Sequence, residues 1–139
     1  MSRIDLYHDV YSQQLYTPIA CSADANSSEI DMQGYESALI HIDVGAFTTG
    51  GNATNCFTFT VQDSDTTATL ITAVASTYLT GNTSAIVVDA TSEDATLYSV
   101  GYVGSKRFVR VNINETGTAV VPICIIANKY RGRHLPAQS

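Results

Sequence analysis

The 139-residue sequence has no tryptophan, little charge and few basic residues. Only 14% of its residues are charged while 45% are hydrophobic, which is typical of a folded or assembled protein and excludes an extended disordered chain. Seven basic residues stand against thirteen acidic ones, and this net charge of −6 argues against a general nucleic-acid binder, which needs a surplus of Lys and Arg. No apolar run reaches the roughly 18 residues that predict a membrane-spanning helix, so we expect no membrane partner.

Cysteine is also scarce. Cys21, Cys56 and Cys124 are odd in number and widely spaced, which indicates neither a disulfide framework nor a zinc site. Cys56 and Cys124 lie in apolar segments, so we predict buried free thiols in a protein made in a reducing cytoplasm. The first residues have no apolar core of the kind that marks a secretory signal.

The sequence does have many β-branched and aromatic residues, arranged in short alternating segments between turn residues. No segment has a convincing helical period. We therefore predict an all-β fold, an antiparallel β-sandwich or barrel of jelly-roll type with about seven or eight strands. The residues predicted to face the core are Ala38, Ile40, Ile42, Val44, Phe57, Phe59, Val61, Val109, Val111 and Ile113.

The chain divides into three predicted regions. We predict that residues 1–34 form an extended N-terminal arm and loop, with one short strand near "IDM". Residues 35–130 predict the β-sandwich domain, and residues 131–139 predict a C-terminal tail.

The predicted arm has three tyrosines, Tyr7, Tyr11 and Tyr16, together with Leu6 and Leu15. These side chains are too apolar for a purely solvated tail. We expect the arm to dock either on its own domain or on a neighbouring subunit.

Residues that could support catalysis or bind a cofactor form no motif. None of the three histidines has a partner at a metal-ligand spacing, and nucleophile elbows and phosphate-binding loops are absent from the sequence. His41 and Asp43 are two residues apart on one predicted strand, so we expect them to form a surface pair and not a catalytic dyad. The segment "DSDTT" predicts a turn, because it has neither the glycine nor the distal glutamate of a calcium loop. We predict no enzymatic activity and no cofactor.

Basic residues are concentrated from Lys106 onward. Arg110 lies beside Phe108 on the predicted outer face of a strand, where it is either part of a structural Arg–aromatic pair or a contact for an acidic partner surface, including a second copy. The closing basic segment is either solvated or a contact site. The other cations are Lys106, Arg107, Lys129, Arg131 and Arg133, with His134 beside them.

Four segments, "GYESALIHIDVG", "FTFTVQDSDTTAT", "YSVGYVGSKRFVRVNI" and "GRHLP", resemble small structural proteins of tailed bacteriophages. The resemblance covers roughly residues 34–136 and is most specific over residues 101–111. Several of those phage proteins are head decoration or cement proteins.

The resemblance implies a non-enzymatic protein of the virion exterior, made in the host bacterial cytoplasm. It implies binding to the outer surface of the major capsid protein shell and self-association, often as a trimer. Composition, and not the resemblance, predicts the residues in contact with the capsid or with neighbouring subunits: Tyr7, Tyr11, Tyr16, Arg110, Lys129, Arg131, Arg133 and His134.

Two alternatives stay open. One is a tail or baseplate accessory β-domain of the same virion. The other is a carbohydrate-binding jelly roll, for which the eight tyrosines could supply aromatic platforms although tryptophan is lacking.

Overall fold

A computed structural model describes residues 5–67 and 72–130. They form two antiparallel sheets packed together, which confirms the predicted all-β sandwich. A single helical turn, α1 (Leu6–Asp9), precedes the strands. The strands are β1 (Val10–Cys21), β2 (Ala25–Asn26), β3 (Ile30–Asp31), β4 (Ser37–Val44), β5 (Cys56–Ser64), β6 (Thr72–Ala73), β7 (Leu79–Gly81), β8 (Ile86–Val88), β9 (Thr96–Tyr102), β10 (Phe108–Thr116) and β11 (Val121–Tyr130).

The strands are divided between two sheets. Sheet A has five strands in the order β1-β11-β4-β9-β7. Sheet B has the order β2-β10-β5-β6, with β3 also paired to β10 and β8 also paired to β5. The described residues form eleven strands where seven or eight were predicted, because five of the strands are only two or three residues long. Segments this short have little room for a visible alternation, although β3 lies where the short strand near "IDM" was predicted.

The core consists of the inward rows of the central strands. Alternate residues of β4, β5, β10 and β11 are almost fully buried, as the alternation predicted for the first three of these strands. Full burial of one such side chain contributes about 1.5–3 kcal/mol. The largest side chains in this core are Tyr102, Phe57, Phe59, Ile30, Ile40, Ile42, Ile113, Ile123 and Ile125.

The N-terminal segment is part of the sandwich. β1 pairs with β11 along the edge of sheet A, while β2 and β3 pair with β10 in sheet B. Leu15 lies inward on β1 and is buried. Of the two docking alternatives, this structure shows the arm on its own domain, and residues 10–31 share one fold with residues 37–67 and 72–130. The predicted tail at 131–139 lies outside the described residues.

The segment between β9 and β10 carries the chain from sheet A to sheet B. Gly101 and Gly104 flank Tyr102 in this segment, and glycines at this spacing favour a bend or a tight hairpin. The two flanking strands lie in different sheets, so the connection is a crossover and not a hairpin. Buried Tyr102 anchors it: its hydroxyl donates to Asp63 Oδ2 at 2.8 Å and accepts from the Lys106 amide at 3.2 Å.

The turn between β10 and β11 depends on Gly117, which has a φ of 78°. A Cβ there would overlap the backbone carbonyl oxygen of Thr54 and the side chain of Asn55. Gly34 has a similar φ of 86°, and a Cβ at Gly34 would have nothing within 4 Å.

We therefore expect the same substitution to have different costs at these two glycines. Gly34→Ala should lower the free energy of unfolding by the left-handed backbone strain alone, about 1–2 kcal/mol. Gly117→Ala should lower it by that amount plus about 1–3 kcal/mol for the steric overlap. Urea denaturation of the two variants and the wild type measures the difference, and equal costs would contradict the proposed overlap.

Candidate interaction surface

The outward row of β4 forms the middle of a broad surface on sheet A. Strand register sets the neighbours of each of its residues. Leu39 is paired with Gly101 and Asn128, His41 with Ser99 and Ile126, and Asp43 with Leu97 and Cys124. Paired residues point to the same side of a sheet. We call the resulting surface the sheet A face; it consists of Leu39, His41, Asp43, Leu97, Ser99, Gly101, Cys124, Ile126 and Asn128.

The sheet A face is rich in exposed aliphatic groups and poor in charge. Leu97, Leu39 and Ile126 are 57%, 42% and 39% exposed. Asp43 is its only carboxylate and His41 its only basic side chain, although the chain has thirteen acidic residues. Depletion of charge around exposed apolar groups is the composition of the centre of a protein–protein interface.

A groove adjoins one end of this face, beside α1. It has a volume of about 650 Å³ and is lined mainly by apolar groups, among them Leu6, Tyr7, Val10, Leu39 and Val103. Leu6 and Tyr7 are 66% and 59% exposed. The turn that presents them is capped, because Asp5 accepts a hydrogen bond from the Tyr7 amide at 3.0 Å. Of the predicted contact residues that the structure describes, Tyr7 is therefore the one that lies against the sheet A face.

Tyr11 and Lys129 have a contact inside the protomer. Lys129 lies on β11 opposite Tyr11 and is only 8% exposed. Its Nζ lies 4.6 Å from the ring centroid of Tyr11 and 4.4 Å from that of Tyr35, and it donates to the Asp31 carbonyl oxygen at 3.1 Å. Burial lowers the pKa of Lys129, although nearby Asp31 opposes this shift. Its ammonium group is thus engaged within its own protomer and is not displayed on a tail.

Tyr16 is also directed into its own protomer. It is half-buried against the core, and its hydroxyl donates to Cys21 Sγ at 3.6 Å. This hydrogen bond and burial raise the pKa of Tyr16. The three arm tyrosines therefore have three different environments, which their common residue type did not predict.

The basic stretch at 106–110 is held by partners in the same chain. Lys106 pairs with Asp65 at 2.5 Å, and Arg107 forms two hydrogen bonds with the carboxylate of Asp31 at 3.0 and 3.1 Å. These ion pairs connect the crossover to sheet B. They account for two of the cations that the sequence concentrates here.

Arg107 stacks on the aromatic ring of Phe108, the residue that follows it in the chain. The guanidinium carbon of Arg107 lies 4.9 Å from the ring centroid of Phe108. Arg110 Nε instead donates to Gln62 Oε1 at 3.0 Å across the outer face of sheet B, on the side of the sandwich opposite the sheet A face. Arg131, Arg133 and His134 lie outside the described residues.

Two further side chains of the sheet A face differ in part from expectation. Cys56 is buried as predicted, but Cys124 is half-buried because it points outward from β11. His41 Nδ1 lies 2.9 Å from Ser99 Oγ on the neighbouring strand, so its nearest side-chain partner is not Asp43. Within residues 5–67 and 72–130, no group of three or more His, Cys, Asp and Glu residues could hold a metal ion.

The aliphatic part of the sheet A face was not predicted as a site. A signal was nevertheless present: "ALI" in β4 and "ICIIA" in β11 are continuous apolar runs where a half-exposed strand would alternate with polar residues. Such runs indicate apolar groups on both sides of a strand.

Comparison with known proteins adds no family to these observations. No protein-family model matches the chain, and no curated protein sequence matches it. Among the described residues, no helix is long and apolar enough to cross a membrane.

The Arg107–Asp31 pair predicts a pH-dependent contribution to stability. The hydrogen bonds from Arg107 lower the pKa of Asp31 below its ordinary value of 3.8. The pair therefore stabilises the fold above that pH, and its contribution is lost as the pH falls below it. Arg107→Gln should lower the free energy of unfolding at pH 7, and its effect should shrink at about pH 3.

Urea denaturation at the two pH values measures this effect, and the same substitution in an Asp31→Asn background is its control. In that background the effect of Arg107→Gln should be smaller and independent of pH. An equal effect of Arg107→Gln in both backgrounds would show that the ion pair contributes nothing.

Proposed function

We propose that this protein is a virion structural protein that binds the outer surface of a bacteriophage capsid and stabilises the shell. The resemblance of residues 34–136 to small phage structural proteins suggests the partner, the major capsid protein. The observation that carries the proposal is the groove beside α1, together with exposed Leu39, by which the groove reaches the edge of the sheet A face. A protein whose task is to attach to a shell needs such an apolar surface outside its own core.

The mode of action is physical and has no chemical step. A protein that binds across the joints between capsid subunits binds the assembled shell more tightly than the separated subunits. By linkage, this difference in affinity stabilises the shell. Copies arranged by the symmetry of the shell add their contributions, so a modest affinity per copy is sufficient. The trimer that the resemblance implies remains a prediction.

In this proposal, Leu6 and Tyr7 are the contact residues. Both are exposed on α1, and neither is part of the core, so their replacement should leave the fold intact. Val87 is the matched control: it is an aliphatic residue that is 47% exposed on β8, in the other sheet.

We expect the protein to sediment with expanded phage heads that have been stripped of accessory proteins, and to raise the temperature at which those heads release DNA. Leu6→Ser combined with Tyr7→Ala should weaken this binding by at least about tenfold, since each is an exposed apolar anchor. Val87→Ser should bind as the wild type does. Cryo-EM of the saturated heads would locate the bound copies.

The same experiment tests the alternatives when tails and a glycan array are included. Binding to isolated tails but not to heads would replace the capsid proposal with a tail or baseplate role. Binding to glycans but not to heads would favour the carbohydrate-binding alternative. Equal head binding by the Leu6/Tyr7 and Val87 variants would remove the groove from the proposal.

A further inference from the structure

We propose that the half of the sheet A face around His41 and Asp43 binds a second copy of this chain in a two-fold contact. This inference does not depend on the proposed capsid binding, because it concerns self-association in solution. It rests on the arrangement of the two ionisable side chains in the middle of the face. Both lie on the outward row of β4, two residues apart.

A two-fold axis can bring these side chains together as pairs of unlike groups. Such an axis lies between the two molecules, runs across the strands and passes over β4 at Ile42. It places His41 of one copy opposite Asp43 of the other, and it does so twice. The same operation places Ile126 opposite Cys124, since these residues are paired with His41 and Asp43 in the sheet. A surface that matches itself in this way is what a two-fold interface requires.

The hydrogen-bonding groups are available for this contact. His41 uses Nδ1 toward Ser99, and among the described residues its Nε2 has no hydrogen-bond partner. Asp43 is exposed, and in the same part of the chain its carboxylate accepts no hydrogen bond. An imidazole N–H that donates to a carboxylate would therefore satisfy both groups, and the contact would contain this pair two times.

Charge favours the sheet A face over other surfaces of the protein as the place where two copies meet. The chain has a net charge of −6, so two copies repel each other wherever their carboxylates meet. On the sheet A face a single carboxylate lies beside a single histidine, and the other residues are neutral. Two copies that meet here avoid like-charge pairs and bury aliphatic groups.

The face is small, as a weak contact requires. Its three strands at about 4.8 Å and eight residues at about 3.3 Å give a surface of roughly 14 by 26 Å, about half of the ~800 Å² per partner of a standard interface, so we expect a dimer that forms only at high protein concentration. The groove beside α1 starts at Leu39, three residues from the axis at Ile42, so it lies toward the rim of the contact. The same molecule can therefore use the groove for another partner.

The test is sedimentation equilibrium of the full chain, without capsids and with a reducing agent that prevents disulfides through Cys124. We expect a monomer–dimer equilibrium for the wild type. His41→Asp places Asp opposite Asp at both pairs and should raise the dissociation constant by at least about tenfold. Exchange of the two residues, His41→Asp with Asp43→His, restores unlike pairs and should return the dissociation constant to within about threefold of the wild-type value.

Asn114→Asp is the control, because it adds the same charge on β10, on the outer side of sheet B. It should leave the dimer unchanged, and circular dichroism of each variant verifies its fold. A wild type that is monomeric at its highest soluble concentration would overturn the inference. So would an oligomer that His41→Asp does not weaken, or one that the exchanged variant does not restore. None of these outcomes involves the capsid, so they are separate from failure of the proposed function.

Discussion

The structure depends on one constraint: the inward rows of the two sheets have to be buried against each other. β11 and β10 each pair with long strands, and through these pairs they fix the register of the central strands. Because side chains alternate along a strand, a register that buries Ile40 and Ile42 necessarily directs Leu39, His41 and Asp43 to the other side. The sheet A face is thus positioned by the same hydrogen bonds that build the core.

Lys129 is the charged residue at the end of the inward row of β11, which is otherwise apolar. A buried ammonium group is costly unless its charge and its hydrogen bonds are compensated. Two tyrosine rings and a backbone carbonyl supply that compensation. Tyr11 lies on β1, Tyr35 lies just before β4, and the carbonyl belongs to Asp31 on β3. The lysine therefore connects β11 to three other parts of the chain. Its role is structural and lies within the protomer, whereas its position in a basic segment of the sequence had indicated a contact with a partner.

Much of the fold was predictable, since alternation is a local property that each strand displays by itself. The inward residues of β4, β5 and β10 and the sandwich class follow from it. Three other features depend on pairings between distant segments: the short strands, the incorporation of residues 10–31 into the sheets, and the ion pairs of Lys106 and Arg107. No local pattern predicts which aspartate a given cation will meet. The exposed leucines illustrate a different difficulty, because an apolar residue in a strand predicts burial unless both sides of the strand are considered together.

The two sides of β4 have different structural roles, so we expect substitutions on them to be tolerated differently. Substitution at Ala38, Ile40, Ile42 or Val44 would affect folding, whereas Leu39 and His41 point away from the core and are not needed for it. In relatives that keep the fold but lack the proposed binding partner, the outward row should drift toward ordinary polar residues while the inward row stays apolar. Relatives that keep the partner should retain both rows. The rate of change at every second residue of a single eight-residue strand would then record whether the protein still has something to bind.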